Sequence, residues 1–175
     1  SLGLRTLDGH SQGADKVQQL IEHWALELGI KELTLYTFSM QNFKRAKSEV
    51  NYLMDLFVKF FKKFMKLIKE KKRNIKINFI GRIHLFPKRV QEVMKEIINL
   101  TKKNSKLVVN FAMGYGGREE IVDGIKHLVK DVKEKKVSEE SIDEKLFTNY
   151  LGLQHEPDLI IRTGGDRRTS NFLMW

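Results

Sequence analysis

The chain has 175 residues, the length of one ordinary domain, and 41% of them are hydrophobic, which excludes a disordered chain. It contains no cysteine, which excludes disulfides, thiolate metal ligands and a thiol nucleophile and fits a reducing cytoplasm. The net charge of +10 indicates an anionic partner but does not identify it, since diphosphates, anionic lipid and nucleic acid all qualify. No apolar run reaches the ~18 residues of a membrane span, and residues 1–15 lack the apolar region of a signal peptide.

Helix and strand patterns alternate along the chain. The predicted helices are Asp15–Gly29, Ser48–Lys69, Pro87–Leu100 and Arg118–Lys135. A capping box formed by Ser141 and Glu144 predicts one more. The predicted strands are Leu33–Phe38, Ile75–Ile80, Leu107–Ala112, Leu159–Arg162 and Asn171–Trp175. Because single helices separate most of the strands, we expect one α/β domain over residues 1–175, with a central, mostly parallel sheet surrounded by helices.

Ligands of such sheets bind at the carboxyl ends of the strands. This rule selects the loops Ser39–Arg45, Gly81–Phe86, Met113–Arg118 and Thr163–Ser170. The last of them, taken with Arg162 before it, has the most donors for an anion, because it then combines two glycines with three arginines and a serine hydroxyl. Glycines allow close backbone approach, and arginine forks match phosphate oxygens. We interpret this loop as a diphosphate cradle; the alternative is a surface turn with solvated arginines.

Three smaller groups of residues are candidates for a site. Ser39, Asn42 and Arg45 cluster after the first predicted strand, where they either orient a substrate or cap the next helix. His10 either binds an anion or transfers a proton, or it has a capping or core role. The helix Val50–Ile68 is rich in large apolar side chains. Core packing is the preferred interpretation of its wide stripe. The alternatives are that part of it lines an apolar tunnel or that it faces a membrane, which the interspersed lysines would suit.

These segments together resemble the cis-prenyltransferase family, which includes the undecaprenyl and dehydrodolichyl diphosphate synthases. The residue usage resembles its archaeal members. The matching motifs are Gly9–Gly13 (GHSQG), Leu33–Arg45 (LTLYTFSMQNFKR) with Glu49 and Val50, Asn110–Ile121 (NFAMGYGGREEI) and Pro157–Trp175 (PDLIIRTGGDRRTSNFLMW). The last motif is highly specific, and the match spans nearly the whole chain in the order of the family.

The resemblance implies an apolar tunnel within the α/β fold and a Mg²⁺-dependent reaction. An allylic diphosphate, such as farnesyl or geranylgeranyl diphosphate, loses its diphosphate and is attacked by the double bond of isopentenyl diphosphate. The polyprenyl diphosphate that results would serve as a lipid carrier for glycosylation. We expect a cytoplasmic homodimer with peripheral membrane contact.

The resemblance also implies roles for individual residues. Residues that match the isopentenyl diphosphate site are Arg162, Arg168 and Ser170. His10 matches a residue beside the allylic diphosphate, and the residues that match those around the reacting centre are Ser39, Asn42 and Arg45. Phe43 stands where the family usually has tryptophan, and Arg5 lies one place away from an expected arginine.

The resemblance leaves the metal ligands unknown, because the family's opening aspartate segment and its closing acidic residue have no counterpart within residues 1–175. We therefore expect residues 1–175 alone to be inactive. Gln41 and Asp166 each replace a usual glutamate, and Arg82 stands where the family often has aspartate.

Two other functions are weighed against this one. A non-catalytic partner subunit of a heteromeric prenyltransferase would share the fold. The intact loop of residues 162–170 (the arginine loop), His10 and Asn42 argue against it. A nucleic-acid-binding protein is suggested by the charge alone, and the chain has no recognised binding motif. We therefore expect no nucleic-acid partner.

Overall fold

The structure is a computed structural model that describes residues 6–25 and 27–175, with side chains for 13–23, 25 and 27–175. The described chain divides into two compact units, one ending at Gly114 and one comprising Tyr115–Trp175. In the described part, no helix is long and apolar enough to cross a bilayer.

The first unit contains three strands and three long helices. Helix α1 (Thr6–Gln19) continues as a π-helical turn (Leu20–Ala25) and is followed by strand β1 (Glu32–Ser39). A short 3-10 helix (Met40–Lys44) leads to helix α2 (Lys47–Glu70) and strand β2 (Ile75–Ile80). A second 3-10 helix (Ile83–Leu85) leads to helix α3 (Lys88–Thr101) and strand β3 (Leu107–Tyr115). The second unit contains helix α4 (Gly117–Lys133), a 3-10 turn (Glu139–Ser141) and the short helix α5 (Glu144–Thr148).

The strands form a sheet in the order β1-β3-β2. Strands β2 and β3 run parallel, with Ile75 opposite Leu107 and Ile80 opposite Ala112. Helix α3 connects them, which confirms the predicted βαβ arrangement. Asn110 links all three strands: its Nδ2 donates to Oε1 of Glu32 in β1 at 2.6 Å, and its Oδ1 accepts from Nδ2 of Asn78 in β2 at 3.2 Å.

The core of the first unit lies between the sheet and helices α2 and α3. Strand β3 is buried along nearly its whole length, as expected for the central strand of a covered sheet. Helix α2 buries one face, which consists of Leu53, Met54, Phe57, Phe61, Phe64, Met65 and Ile68. Most of its apolar stripe is therefore core, which agrees with the first interpretation of this helix.

Two predicted strands are wrong. Residues Leu159–Arg162 and Asn171–Trp175 form no strand. The side chains of Leu159 and Ile161 are 75% and 78% exposed, so this apolar run packs against no sheet. Asn171 and Leu173 have positive φ values of 64° and 47°, which a strand does not accommodate. A short apolar run does not by itself identify a strand.

Three predicted boundaries also differ. The first helix, predicted over Asp15–Gly29, begins at Thr6, and its π-helical turn ends at Ala25. The capping box of Ser141 and Glu144 is wrong, because Oδ1 of Asp143 caps α5 by accepting from the N–H of Leu146 at 2.7 Å. Ser141 instead donates its hydroxyl to the carbonyl of Ser138. The predicted glycine-rich loop Met113–Arg118 is shorter than expected, since β3 continues to Tyr115 and α4 begins at Gly117.

Candidate active site

The turn after β1 is organised around Asn42. The backbone N–H of Ser39, the last residue of β1, donates to Oδ1 of Asn42 at 2.7 Å. The N–H of Arg45 donates to the carbonyl of Asn42 at 3.2 Å. These contacts use the side-chain and backbone carbonyl oxygens of Asn42, and its Nδ2 group donates no hydrogen bond to the residues that the structure describes.

Phe43 and Arg45 both follow Asn42 in the chain but have different surroundings. Nη1 of Arg45 pairs with Oε1 of Glu49 at 2.7 Å, one turn into α2. The ring of Phe43 packs edge to face on Phe38 and Phe86, with centroids 4.8 and 5.3 Å away. Phe43 thus holds the turn against the core, whereas the charged end of Arg45 stays in reach of solvent.

A cavity of about 320 Å³ lies beside this turn, within the first unit. Its lining residues are Gly13, Ala14 and Val17 of α1; Leu35, Tyr36, Thr37 and Phe38 of β1; Asn42 and Arg45 of the turn; Leu53, Leu56, Phe57, Phe60 and Phe61 of α2; and Phe111 of β3. The walls are mainly apolar, and their polar groups come from β1 and the turn after it. The volume falls in the range of small-molecule sites.

The cavity follows α2 for two turns. Leu53 and Phe61 both line it, and eight residues of helix rise about 12 Å. Part of the apolar stripe of α2 therefore lines the cavity, and most of the stripe is also buried in the core. That the cavity holds a hydrocarbon chain stays a prediction.

The second unit carries the arginine loop. Nη1 of Arg162 donates to the carbonyl of Arg168 at 2.6 Å and to the hydroxyl of Ser170 at 2.8 Å. Oδ2 of Asp166 accepts from Arg168 at 2.8 Å and lies 3.5 Å from Arg162. The structure thus brings together all three residues predicted to hold isopentenyl diphosphate. The loop is exposed, so a ligand has access to both guanidinium groups.

The arginine loop is anchored by the residue that follows it. The carbonyl and Oδ1 of Asn171 accept from the N–H groups of Gly117 and Arg118, at 2.7 and 2.9 Å. Its Nδ2 donates to Oε2 of Glu119 at 2.8 Å. Asn171 therefore caps α4 from a distant part of the chain. A side chain at Gly117 would overlap Met174, since an added Cβ would lie 2.6 Å from its Cγ.

The structural roles of Asn171 and Glu119 were missed from the sequence, although both belong to quoted motifs. In a sequence, a helix cap is recognised when a residue such as asparagine stands directly before the predicted helix. Here, 53 residues separate Asn171 from Arg118, so local spacing does not reveal the contact.

The side chains of two predicted site residues lie outside the part of the chain that the structure describes. Arg5 is outside the described residues, and for His10 only the backbone, which belongs to α1, is described. Among the side chains that are described, no group of three or more acidic residues or histidines could hold a metal ion. The one carboxylate in the arginine loop, Asp166, is already paired with two arginines. The described residues therefore do not fit a Mg²⁺ site.

Comparison with known proteins agrees with this geometry. A family model described as putative undecaprenyl diphosphate synthase matches residues 1–175. A tritrans,polycis-undecaprenyl-diphosphate synthase (geranylgeranyl-diphosphate specific) of Pyrococcus abyssi is 44% identical over 95% of this chain and 64% of its own length. An isoprenyl transferase of Enterococcus faecalis is 42% identical over 98% of this chain and 65% of its own length. The chain thus spans about 64% of the length of these relatives.

Two solved structures share the fold. Lavandulyl diphosphate synthase from Lavandula x intermedia, in complex with dimethylallyl diphosphate, matches with a TM-score of 0.93 and 32% identity over 99% of this chain and 75% of the other. A probable undecaprenyl diphosphate synthase from Campylobacter jejuni matches with a TM-score of 0.80 and 32% identity over 94% of this chain and 75% of the other. The predicted resemblance and fold class are confirmed, and the chain belongs to the undecaprenyl diphosphate synthase family of cis-prenyltransferases.

Proposed function

We propose that this protein is a cis-prenyltransferase that condenses isopentenyl diphosphate with an allylic diphosphate to make a long polyprenyl diphosphate. The observation that carries the proposal is the cavity along α2, whose apolar walls meet Asn42 and Arg45. An allylic diphosphate has this same division into a hydrocarbon tail and an anionic head. Burial of each CH₂ of the tail contributes about 0.8 kcal/mol.

The polar lining of the cavity suits the head group of the allylic substrate. Nδ2 of Asn42 is left to donate a hydrogen bond, and Arg45 adds a positive charge beside it. Donors at this position stabilise the negative charge that builds up on the diphosphate as its bond to C1 breaks. We assign Asn42 and Arg45 to this task and Ser39 to the positioning of Asn42; roles for His10 and Arg5 stay predictions.

The arginine loop suits the second substrate. Arg162 donates hydrogen bonds to the carbonyl of Arg168 and to the hydroxyl of Ser170, and two guanidinium groups together match the oxygens of one diphosphate. We propose that they hold isopentenyl diphosphate. Its double bond attacks C1 of the allylic substrate, a C–C bond replaces the C–O bond, and loss of a proton leaves a cis double bond.

Several finer points stay predictions. These are the requirement for Mg²⁺, the homodimer, the location in the cytoplasm, a single domain over residues 1–175 and the inactivity of these residues alone. The name of the Pyrococcus abyssi relative specifies geranylgeranyl diphosphate, so we propose that primer here in preference to farnesyl diphosphate.

The test is an assay of the full-length protein that contains residues 1–175, with labelled isopentenyl diphosphate, Mg²⁺ and either geranylgeranyl or farnesyl diphosphate. We expect labelled long products, more of them with geranylgeranyl diphosphate, and none after EDTA treatment. Residues 1–175 alone, assayed in parallel, should give no product. A folded full-length protein that forms no product with either primer would contradict the proposal and favour a non-catalytic partner subunit.

A further inference from the structure

A second cavity lies in the first unit, where α2 and α3 end and β2 and β3 begin. Its volume is about 390 Å³, and it shares no lining residue with the cavity along α2. Two apolar side chains form part of the wall, and the remaining lining residues are Lys69, Lys72, Arg73, Asn74 and Asn104. We call this space the basic pocket, because three of its lining residues are basic and none is acidic.

The guanidinium group of Arg73 lacks an acceptor in the part of the chain that the structure describes. Its Nε atom is buried and has no hydrogen-bond partner, and none of the described carboxylates lies within 4.0 Å of the group. The backbone of Arg73 is fixed, since its N–H donates to the carbonyl of Ile68 at 3.1 Å and its carbonyl accepts from Nδ2 of Asn104 at 3.3 Å. A buried donor without an acceptor destabilises a fold, and water or an ion commonly satisfies it.

Asn74 gives the basic pocket a second donor. Its Oδ1 accepts from the backbone N–H groups of Ser105 and Lys106, at 2.6 and 3.2 Å. These two bonds orient the side-chain amide, and its Nδ2 group donates to none of the residues that the structure describes. The amide of Asn104, by contrast, already donates to two backbone carbonyls, so it serves as part of the frame of the pocket.

Lys72 has a backbone conformation that lysine rarely adopts, with a φ of 47°. Its N–H donates to the carbonyl of Lys69 at 3.3 Å, directly after the end of α2. Glycine is the usual residue at such a left-handed helix end, because it has no Cβ. The lysine instead adds a positive charge to the pocket, and Lys69 adds another. Neither lies within 4.0 Å of a described carboxylate.

We propose that the basic pocket binds a free phosphate or diphosphate ion. A guanidinium fork matches the oxygens of a phosphoryl group, and an ion in the pocket supplies the acceptor that Nε of Arg73 lacks once this side chain turns toward it. Nδ2 of Asn74 adds a neutral donor, and the two lysines add charge that has no counter-ion among the described residues. The site is separate from Asn42, Arg45 and the arginine loop, so the proposal does not depend on the proposed function.

The experiment is ¹H–¹⁵N NMR of the full-length protein, titrated with sodium phosphate or sodium diphosphate while sodium chloride keeps the ionic strength constant. The Nε–H signal of Arg73, assigned by its loss in Arg73→Lys, reports on this pocket alone, so binding at the substrate sites does not interfere. The test variant is Lys72→Gly, which removes one charge and relieves the strained backbone, so it should be at least as stable as the wild type. The control is Lys95→Gln, because Lys95 is an exposed lysine of α3 that lines neither cavity.

We expect both ions to shift the Nε–H signal of Arg73 and the side-chain amide signals of Asn74 along one saturable curve. Lys72→Gly should raise the Kd about two- to fivefold, as expected for the loss of one exposed charge, and Lys95→Gln should leave it unchanged. The order of the two affinities shows which ion the pocket prefers, and either order supports the proposal. No shift with either ion, a shift that sodium chloride alone reproduces, or equal weakening in the two variants would overturn it.

Discussion

We propose that the cavity along α2 and the arginine loop each hold a diphosphate substrate, and different forces hold the two regions in shape. The cavity is bounded by packed elements of a hydrophobic core, and among its polar groups Asn42 is held by the backbone N–H of Ser39 and Arg45 by Glu49. The arginine loop is exposed and packs little; ion pairs with Asp166 and the cap formed by Asn171 hold it. Substitutions in the cavity should therefore change which substrate or product fits, whereas those in the loop should change how tightly an anion binds.

The largest effect is expected from Arg168→Ala. The variant removes a guanidinium group that we assign to isopentenyl diphosphate, and a hydrogen bond to a charged group contributes about 1.5–3 kcal/mol. We expect kcat/KM for isopentenyl diphosphate to fall about 10- to 100-fold. The measurement is steady-state kinetics with saturating allylic primer.

Arg167→Ala is the matched control, since Arg167 is an exposed arginine in the same loop. We expect its kcat/KM to stay close to wild type. Similar losses in the two variants would show that general positive charge, and not the Arg162–Arg168 pair, binds the substrate.

The second prediction concerns the cavity. Leu56→Trp places a larger side chain in the wall, so we expect shorter products with little change in KM for isopentenyl diphosphate. Leu67→Trp is the control, because Leu67 is a half-buried residue of the same helix that does not line the cavity. Product lengths are read by chromatography of the dephosphorylated alcohols. Equal shortening in both variants would mean that the cavity does not hold the growing chain.

The third prediction concerns the anchor of the loop. Asn171→Ala removes one acceptor and one donor side-chain hydrogen bond at the start of α4, and loss of a helix cap costs about 1–2 kcal/mol. We expect a lower free energy of unfolding and a raised KM for isopentenyl diphosphate. Asn171→Asp keeps the acceptor for Arg118 but places a second carboxylate against Glu119, so we expect it to lower the free energy of unfolding as well. Unchanged stability in Asn171→Ala, measured by denaturant titration, would contradict this role.

The smallest effect is expected from Asp166→Asn. Both ion pairs of Asp166 are exposed, and such pairs contribute about 0–1 kcal/mol. Arg162 keeps its hydrogen bonds to Arg168 and Ser170, so we expect KM for isopentenyl diphosphate to change by no more than about threefold. A change as large as that of Arg168→Ala would mean that the carboxylate itself orders the two arginines.

The contrast between the packed cavity and the exposed arginine loop also explains what could be predicted from the sequence. Helical and strand periodicity reports burial, so it located β1, β2, β3 and helices α2, α3 and α4 within a few residues, whereas α1 begins at Thr6, nine residues before the predicted start. It failed at Leu159–Arg162, where the apolar residues are exposed, and at Asn171–Trp175, where positive φ values bend the chain. The motif indicated the residues of the arginine loop, but the contacts between Asn171 and α4 depend on the fold and have no local pattern.

The measurement that tests the central claim most directly is the geometry of the double bonds that the full-length protein makes. Geranylgeranyl diphosphate and ¹³C-labelled isopentenyl diphosphate would be the substrates, and NMR of the purified product would distinguish cis from trans bonds. The account predicts that every newly formed bond is cis and that Arg168→Ala makes far less of the same product. New bonds in the trans configuration, or product formation unaffected by Arg168→Ala, would contradict it.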